Sequence, residues 1–118
     1  MADLGPTHHN WHPAVRAQVD LVLAVFRHVT ANTYTDHPWP GWDGFSVDFW
    51  GPRGRGDALD LPTARKIRRF LMKQPGAPFI RHTILRHSLW TSFGGRQHWP
   101  SNDHSGRLLH LHVTYWKL

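Results

Sequence analysis

Two histidines near the end of the chain have the type and spacing that metal chemistry on a β-strand requires. Residues 108–116 alternate between apolar and polar side chains, which predicts a strand with His110, His112, Thr114 and Trp116 on one face. Two imidazoles two residues apart on a strand lie about 6.7 Å apart along the backbone and point the same way. They could converge on one metal, or one could bind metal while the other faces a substrate. Two solvated histidines would show the same pattern.

Two residues upstream could complete such a site. Residues 45–50 also alternate, and Asp48 lies on the polar face of this predicted strand. His37 lies in the Pro- and Gly-rich loop at 36–44, which leads into the strand. Together, His37, Asp48 and His112 would form a site of two histidines and one aspartate, with a fourth position for an activated water. Taken singly, Asp48 could bond to a loop and His37 could be a solvated loop residue.

The amino-acid composition excludes several classes of protein. The chain of 118 residues contains no cysteine, which rules out a disulfide framework and a thiolate metal site. All eight acidic residues are Asp, so helical His-Glu-x-x-His zinc proteases are excluded and any carboxylate base must be Asp. The formal net charge of +6 favours anionic partners such as nucleic acid, acidic lipid or an acidic cell wall.

The order of the predicted elements indicates the fold class. We expect a loose lead-in at 1–12 and a single domain at 13–118. Apolar residues at helical spacing predict one helix from Pro13 and another from about Pro62 to about Gln74. Strands are predicted at 32–35, 45–50, 79–85, 88–92 and 108–116, with a polar loop at 93–107. This order, in which a helix, a strand and a second helix precede a run of strands, favours an α+β fold with an antiparallel sheet.

The residues also carry a family resemblance. The segments concerned are His37, 46–50, 84–90, 103–104 and 110–114. Their combination resembles the zinc D-Ala-D-Ala carboxypeptidase and murein-endopeptidase superfamily, whose fold is hedgehog-like, and within it the compact peptidoglycan-peptidase domains of actinobacteria and their phages. The resemblance covers roughly residues 32–116. It implies a small antiparallel sheet with two helices packed on one face, a bound Zn²⁺, and hydrolysis of amide bonds in peptidoglycan stem peptides or cross-bridges.

The resemblance also implies roles for individual residues. The expected zinc ligands are His37, Asp48 and His112. His110 would be the neighbouring active-site histidine, which orients water or stabilises the tetrahedral intermediate. Where some relatives have a catalytic Glu or His, three residues before His110, this chain has Arg107. The general base would then be Asp103, His104 or His110 itself. Ten residues separate His37 from Asp48, more than is usual in the family, so the loop at 38–44 would bulge out.

The expected substrate contacts come from arginine and tryptophan. Arg53 or Arg55 would hold a carboxylate or carbonyl oxygen of the peptide, and Trp90 and Trp99 would line the groove. We expect a monomer acting on the anionic cell wall, with no nucleic-acid partner. No apolar run reaches the roughly 18 residues of a membrane span, and the start of the chain lacks a secretory signal pattern. Such a protein would reach the wall after release, as a phage lysin does, or within a larger exported protein.

Two alternatives remain open. Basic loops and exposed aromatic residues also hold single-stranded nucleic acid, so the chain could be a nucleic-acid-binding protein or a metal-dependent nuclease. It contains no recognised nucleic-acid motif, however, and its arginines are spread over loops and one helix face. A relative that binds the wall without hydrolysing it is the second alternative.

Overall fold

A computed structural model of the protein describes residues 7–8, 10–34 and 43–117. These residues form an α+β fold, which confirms the predicted class. The helices are α1 (Pro13–Val25) and α2 (Leu61–Met72). The strands, in chain order, are β1 (Thr7–His8), β2 (Thr30–Tyr34), β3 (Ser46–Trp50), β4 (Ile80–Leu85), β5 (Ser88–Thr91), β6 (Gly95–His98) and β7 (Leu111–Tyr115).

The strands form an antiparallel sheet in which the last strand of the chain lies near the middle. The order is β1-β2-β3-β7-β4-β5-β6, and the two-residue β1 only extends the edge beside β2. β7 pairs with β3 on one side and with β4 on the other. The sheet therefore places the predicted His-x-His segment between two earlier strands, one of which carries Asp48.

Both helices begin at positions where side chains satisfy free backbone N–H groups. The His12 ring accepts a hydrogen bond from the Ala14 N–H before α1, and Asp60 accepts one from the Thr63 N–H before α2. A proline in the first turn of each helix suits a position where no backbone donor is needed. These signals explain why the predicted helix starts lie within one residue of the observed ones.

The structure differs from the prediction between β5 and β7, where β7 also begins at Leu111 and not at residue 108. Residues 93–107 were expected to form a polar loop, but they contain β6 and the start of a short 3-10 turn at Gly106–Leu108. All four residues of β6 are exposed, so the strand lacks the apolar alternation by which sequence reasoning finds strands. It forms because its backbone pairs with β5.

The sheet separates an apolar face from a polar one. The buried side chains of the two helices and of the apolar face form one core, which includes Val15, Val19, Val22, Ala64, Ile67, Leu71, Val47, Phe49, Leu111 and Val113. Trp11, within the predicted lead-in, is also buried there, and its Nε1–H donates to the Ser46 carbonyl at 2.8 Å. The alternate residues of β3 and β7 consequently point to the opposite face of the sheet. No helix in the described part of the chain is long and apolar enough to cross a membrane.

Leucines in the two helices allow a matched test of this core. Leu71 of α2 is fully buried, whereas Leu21 of α1 is 41% exposed. The Leu71→Ala variant is expected to lose about 2–5 kcal/mol of unfolding free energy because it leaves a cavity. The Leu21→Ala variant should change that free energy by about 0.5 kcal/mol or less. Urea denaturation measures both, and equal losses would contradict the buried position of Leu71.

Candidate functional site

The pairing of β3 with β7 places the predicted aspartate and histidine side by side. Asp48 lies directly opposite His112 in the antiparallel register. His110 precedes β7 by one residue, and its Nε2 lies 3.5 Å from Asp48 Oδ1. β4, on the other side of β7, brings in His82, whose ring stacks on that of His112 at a centroid distance of 5.5 Å.

The segment between β6 and β7 brings a further histidine to the surroundings of Asp48. His104 is only 7% exposed, and its carbonyl accepts a hydrogen bond from the Arg86 N–H at 3.1 Å. This bond fixes the segment against the turn between β4 and β5. The ring of His104 lies 4.3 Å from that of His110, centroid to centroid. The sheet and its covering segment thus gather three histidines around one carboxylate.

The carboxylate of Asp48 is held by the histidines beside it. Its Oδ1 accepts a hydrogen bond from His112 Nδ1 at 2.7 Å. Burial alone would raise the pKa of Asp48, but the charges and hydrogen bonds of His110 and His112 outweigh burial and hold the pKa well below its usual range. Asp48 is therefore an ionised carboxylate at neutral pH.

The hydrogen bonds of His104 and His110 determine which ring nitrogen carries the proton. His104 Nδ1 donates to Asp103 Oδ1 at 2.6 Å, and His110 Nδ1 donates to the Leu108 carbonyl at 2.7 Å. In a neutral ring, Nε2 then has the free lone pair. Burial, followed by the charges of His110 and His112, lowers the pKa of His104 to about 4, so this ring is neutral at pH 7.

Asp48, His104 and His110 could together hold a metal ion. One potential ligand atom from each of these buried residues lies within 4.8 Å of the other two. The 3.5 Å between His110 Nε2 and Asp48 Oδ1 is close to the edge of about 3.4 Å of a tetrahedron with metal–ligand bonds of about 2.1 Å. Carboxylate and carbonyl partners on the outer nitrogens are what metal-binding histidines usually have. The donor set suits a divalent transition metal.

His112 is placed differently from the other two histidines. Its Nδ1 donates to Asp48, and its Nε2 lies 2.7 Å from Thr114 Oγ1. Both ring nitrogens therefore have protein partners. Direct metal binding by His112, as the sequence predicts, would require one of these hydrogen bonds to break, whereas its present contacts orient Asp48.

These residues line a cavity of about 580 Å³ on the polar face of the sheet. That volume lies in the range of small-molecule sites. Around the cluster, the walls are formed by residues that include Trp50, Arg55, Arg81, Ile84, Leu89, Phe93, Gln97, Trp99 and Leu108. Trp50 stacks on His110 at 4.1 Å between ring centroids, and its buried Nε1–H has no hydrogen-bond partner among the described residues. A ligand carbonyl could accept from that group.

The structure brings together some of the predicted site residues and separates others. Asp103, His104, His110, Asp48 and His112 line the cavity, as do Arg55 and Trp99. Arg53 and Trp90 are not among its lining residues, and Trp90 packs against the core on the other face of the sheet. The predicted ligand His37 lies outside the described residues.

His82 is a cavity residue that sequence reasoning did not find. Its strand shifts register between Ile80 and His82. By simple alternation these two residues would share a face, but the irregularity leaves Ile80 in the core and turns His82 towards the cavity. The sequence carries no signal for that shift.

Comparison with protein-family models, with curated proteins and with solved structures finds no match to this chain. The site is therefore interpreted from its own chemistry.

The hydrogen bonds predict the tautomers of two rings in the metal-free protein. In their neutral forms, the rings of His104 and His110 are each expected to carry their proton on Nδ1, because each Nδ1 faces an oxygen acceptor. Long-range ¹H–¹⁵N NMR distinguishes protonated from unprotonated ring nitrogens. The Asp103→Ala variant should release the His104 ring and leave His110 unchanged. A neutral ring of either residue with its proton on Nε2 would contradict the assignment.

Proposed function

We propose that the protein is a zinc-dependent peptidase that hydrolyses amide bonds in peptidoglycan stem peptides or cross-bridges. The observation that carries this proposal is the buried cluster of Asp48, His104 and His110, in which both imidazoles are held through Nδ1. The hedgehog-like fold, zinc as the metal and peptidoglycan as the substrate belong to the proposal and come from the sequence resemblance.

The donor set favours zinc and a catalytic type of site. Two imidazoles and one carboxylate are typical ligands of zinc hydrolases, which keep a further position open for water or substrate. When bound, zinc supplies a Lewis acid that polarises a carbonyl and lowers the pKa of water towards neutrality. The aromatic walls of the cavity give an extended peptide flat surfaces to lie against.

The other polar side chains of the cavity have positioning and proton-transfer roles in this proposal. His112 orients Asp48, and Asp103 orients His104. The Arg81 guanidinium, which has only donors, donates to His82 Nδ1 at 3.1 Å. A neutral His82 ring then carries its proton on Nε2, where it can serve a leaving amine.

The positive charge supports an anionic target. The formal net charge is +6, and Arg55 and Arg81 line the cavity. Such a charge speeds encounter with an acidic cell wall and makes the rate sensitive to salt. The substrate carboxylates could bind at these arginines.

Zinc content tests the metal site directly. Elemental analysis after zinc addition and removal of the excess should give about one zinc per wild-type chain. The Asp48→Asn and His104→Gln variants are expected to lose this zinc, because each lacks a ligand. The His112→Gln variant should still bind it, with an affinity about 10–100-fold lower, because it loses only the group that orients Asp48.

The control is His28→Gln, at an exposed histidine in the turn after α1, which should bind zinc as the wild type does. Complete loss of zinc in His112→Gln, with zinc retained in His104→Gln, would instead support the ligand set predicted from sequence. Loss in His37→Gln would add that residue to the site. A wild-type protein that takes up no zinc would overturn the proposal.

Activity on cell walls tests the reaction. Zinc-loaded wild-type protein is expected to release new free amino groups from purified peptidoglycan, and His104→Gln should fall to the level of a chelator-treated sample. The His28→Gln variant should keep wild-type activity, since it leaves the cavity unchanged. Zinc binding without any release of amino groups would favour a wall-binding protein. Cleavage of single-stranded oligonucleotides would favour a nuclease.

A further inference from the structure

A second cavity lies on the opposite face of the sheet from the histidine cluster. It has a volume of about 240 Å³, and its lining includes Arg65, Arg68, Arg86, His87, Ser88 and Arg96. These residues come from α2, from β5 and β6, and from the turn at 86–87 that joins β4 to β5. We call it the arginine cavity.

Four arginines line this cavity, of which Arg68 is half-buried and the others are exposed. Arg65 and Arg68 lie one turn apart on the same face of α2, and Arg96 faces them from β6, opposite Trp90 on the core side. The residues that line the cavity include no carboxylate. Within the described residues, none of the four arginines forms a salt bridge. The chain thus concentrates unneutralised positive charge in one concave place.

Arg68 is an arginine of this cavity whose pKa is changed by its surroundings. Burial, followed by the like charges of Arg96, Arg65 and Arg69, lowers the pKa of Arg68 below its usual value. A bound anion would relieve both effects, since it would replace lost hydration and neutralise the repulsion.

A buried hydroxyl of the cavity also indicates a ligand. Arg86 has a φ of +55°, a left-handed conformation that suits the first residue of the two-residue loop between the paired residues Leu85 and Ser88. The hydroxyl of Ser88, next to this turn, is buried and has no hydrogen-bond partner among the described residues. A buried polar group of this kind is usually satisfied, and rotation about χ1 could turn it to a ligand oxygen.

We propose that the arginine cavity binds the terminal phosphoryl group of a small phosphorylated ligand. Planar guanidinium groups match the oxygens of a phosphate in pairs, which makes arginine the preferred residue for this group. Donors from α2, β6 and the 86–87 turn surround a small concave volume, an arrangement suited to the several oxygens of a terminal phosphate. A phosphodiester backbone would instead need a basic groove that continues along the surface.

Calorimetric titration with pyrophosphate, a small ligand with terminal phosphoryl groups, tests the proposal. The wild-type protein should bind it, and Arg68→Gln and Arg96→Gln are each expected to weaken binding about tenfold or more, because each removes charge-assisted hydrogen bonds. The matched control is Arg27→Gln, which removes the same charge from an exposed turn outside the cavity. Equal weakening in all three variants, or no binding by the wild type, would overturn the proposal.

Two further titrations separate this cavity from other phosphate-binding surfaces. Because a metal at the histidine cluster would also attract phosphate, the Asp48→Asn variant is titrated in parallel. Retained binding supports the arginine cavity, and lost binding overturns it. An oligonucleotide without terminal phosphates should bind more weakly than pyrophosphate, and the reverse order would overturn the proposal in favour of a backbone-binding surface. Thermal denaturation of every variant establishes that it is folded.

Discussion

The buried carboxylate of Asp48 is the constraint on which the polar face of the sheet depends. An unpaired buried carboxylate costs several kcal/mol, so the fold is stable only if partners meet it. His112 lies directly across the strand pair and donates to it at 2.7 Å, while His110 lies 3.5 Å away. The register that creates these contacts is fixed from the other face, where Val47 pairs with Val113 in the core. A slip of one residue would exchange the two faces. Core packing therefore positions the site.

The elements predicted correctly are those with an apolar periodicity of their own. Two helices, the hairpin around residues 86–87 and the strands that carry Asp48 and His112 were all found in this way, because burial of one face leaves a regular pattern in the sequence. No local pattern in the sequence indicates that β3 and β7 lie side by side. β7 is the last strand of the chain, yet it inserts between β3 and β4. The prediction that Asp48 and His112 come together rested on a family resemblance and on residue chemistry, and the pairing of β3 with β7 supplies the contact.

The features that the sequence did not predict depend on contacts between residues far apart in the chain. β6 forms through pairing with β5 despite its exposed polar side chains. His82 faces the cavity only because the register of β4 shifts. His104 was predicted as a possible base within a polar loop, but its burial depends on a backbone bond from Arg86, eighteen positions earlier in the chain. Its hydrogen bond to Asp103 then makes its Nε2 available as a ligand atom, a role that spacing alone could not assign.

The turn at 86–87 contributes to both faces of the sheet. Arg86 and His87 line the arginine cavity. On the other side, the Arg86 N–H donates to the His104 carbonyl, and His87 Nδ1 donates to the Trp99 carbonyl at 2.9 Å. The Trp99 indole donates in turn to Asp103, the carboxylate that orients His104. This turn is held by hydrogen bonds to the segment that carries the histidine. A substitution that changed the backbone conformation at Arg86 would therefore also displace His104, so the two cavities share one structural support.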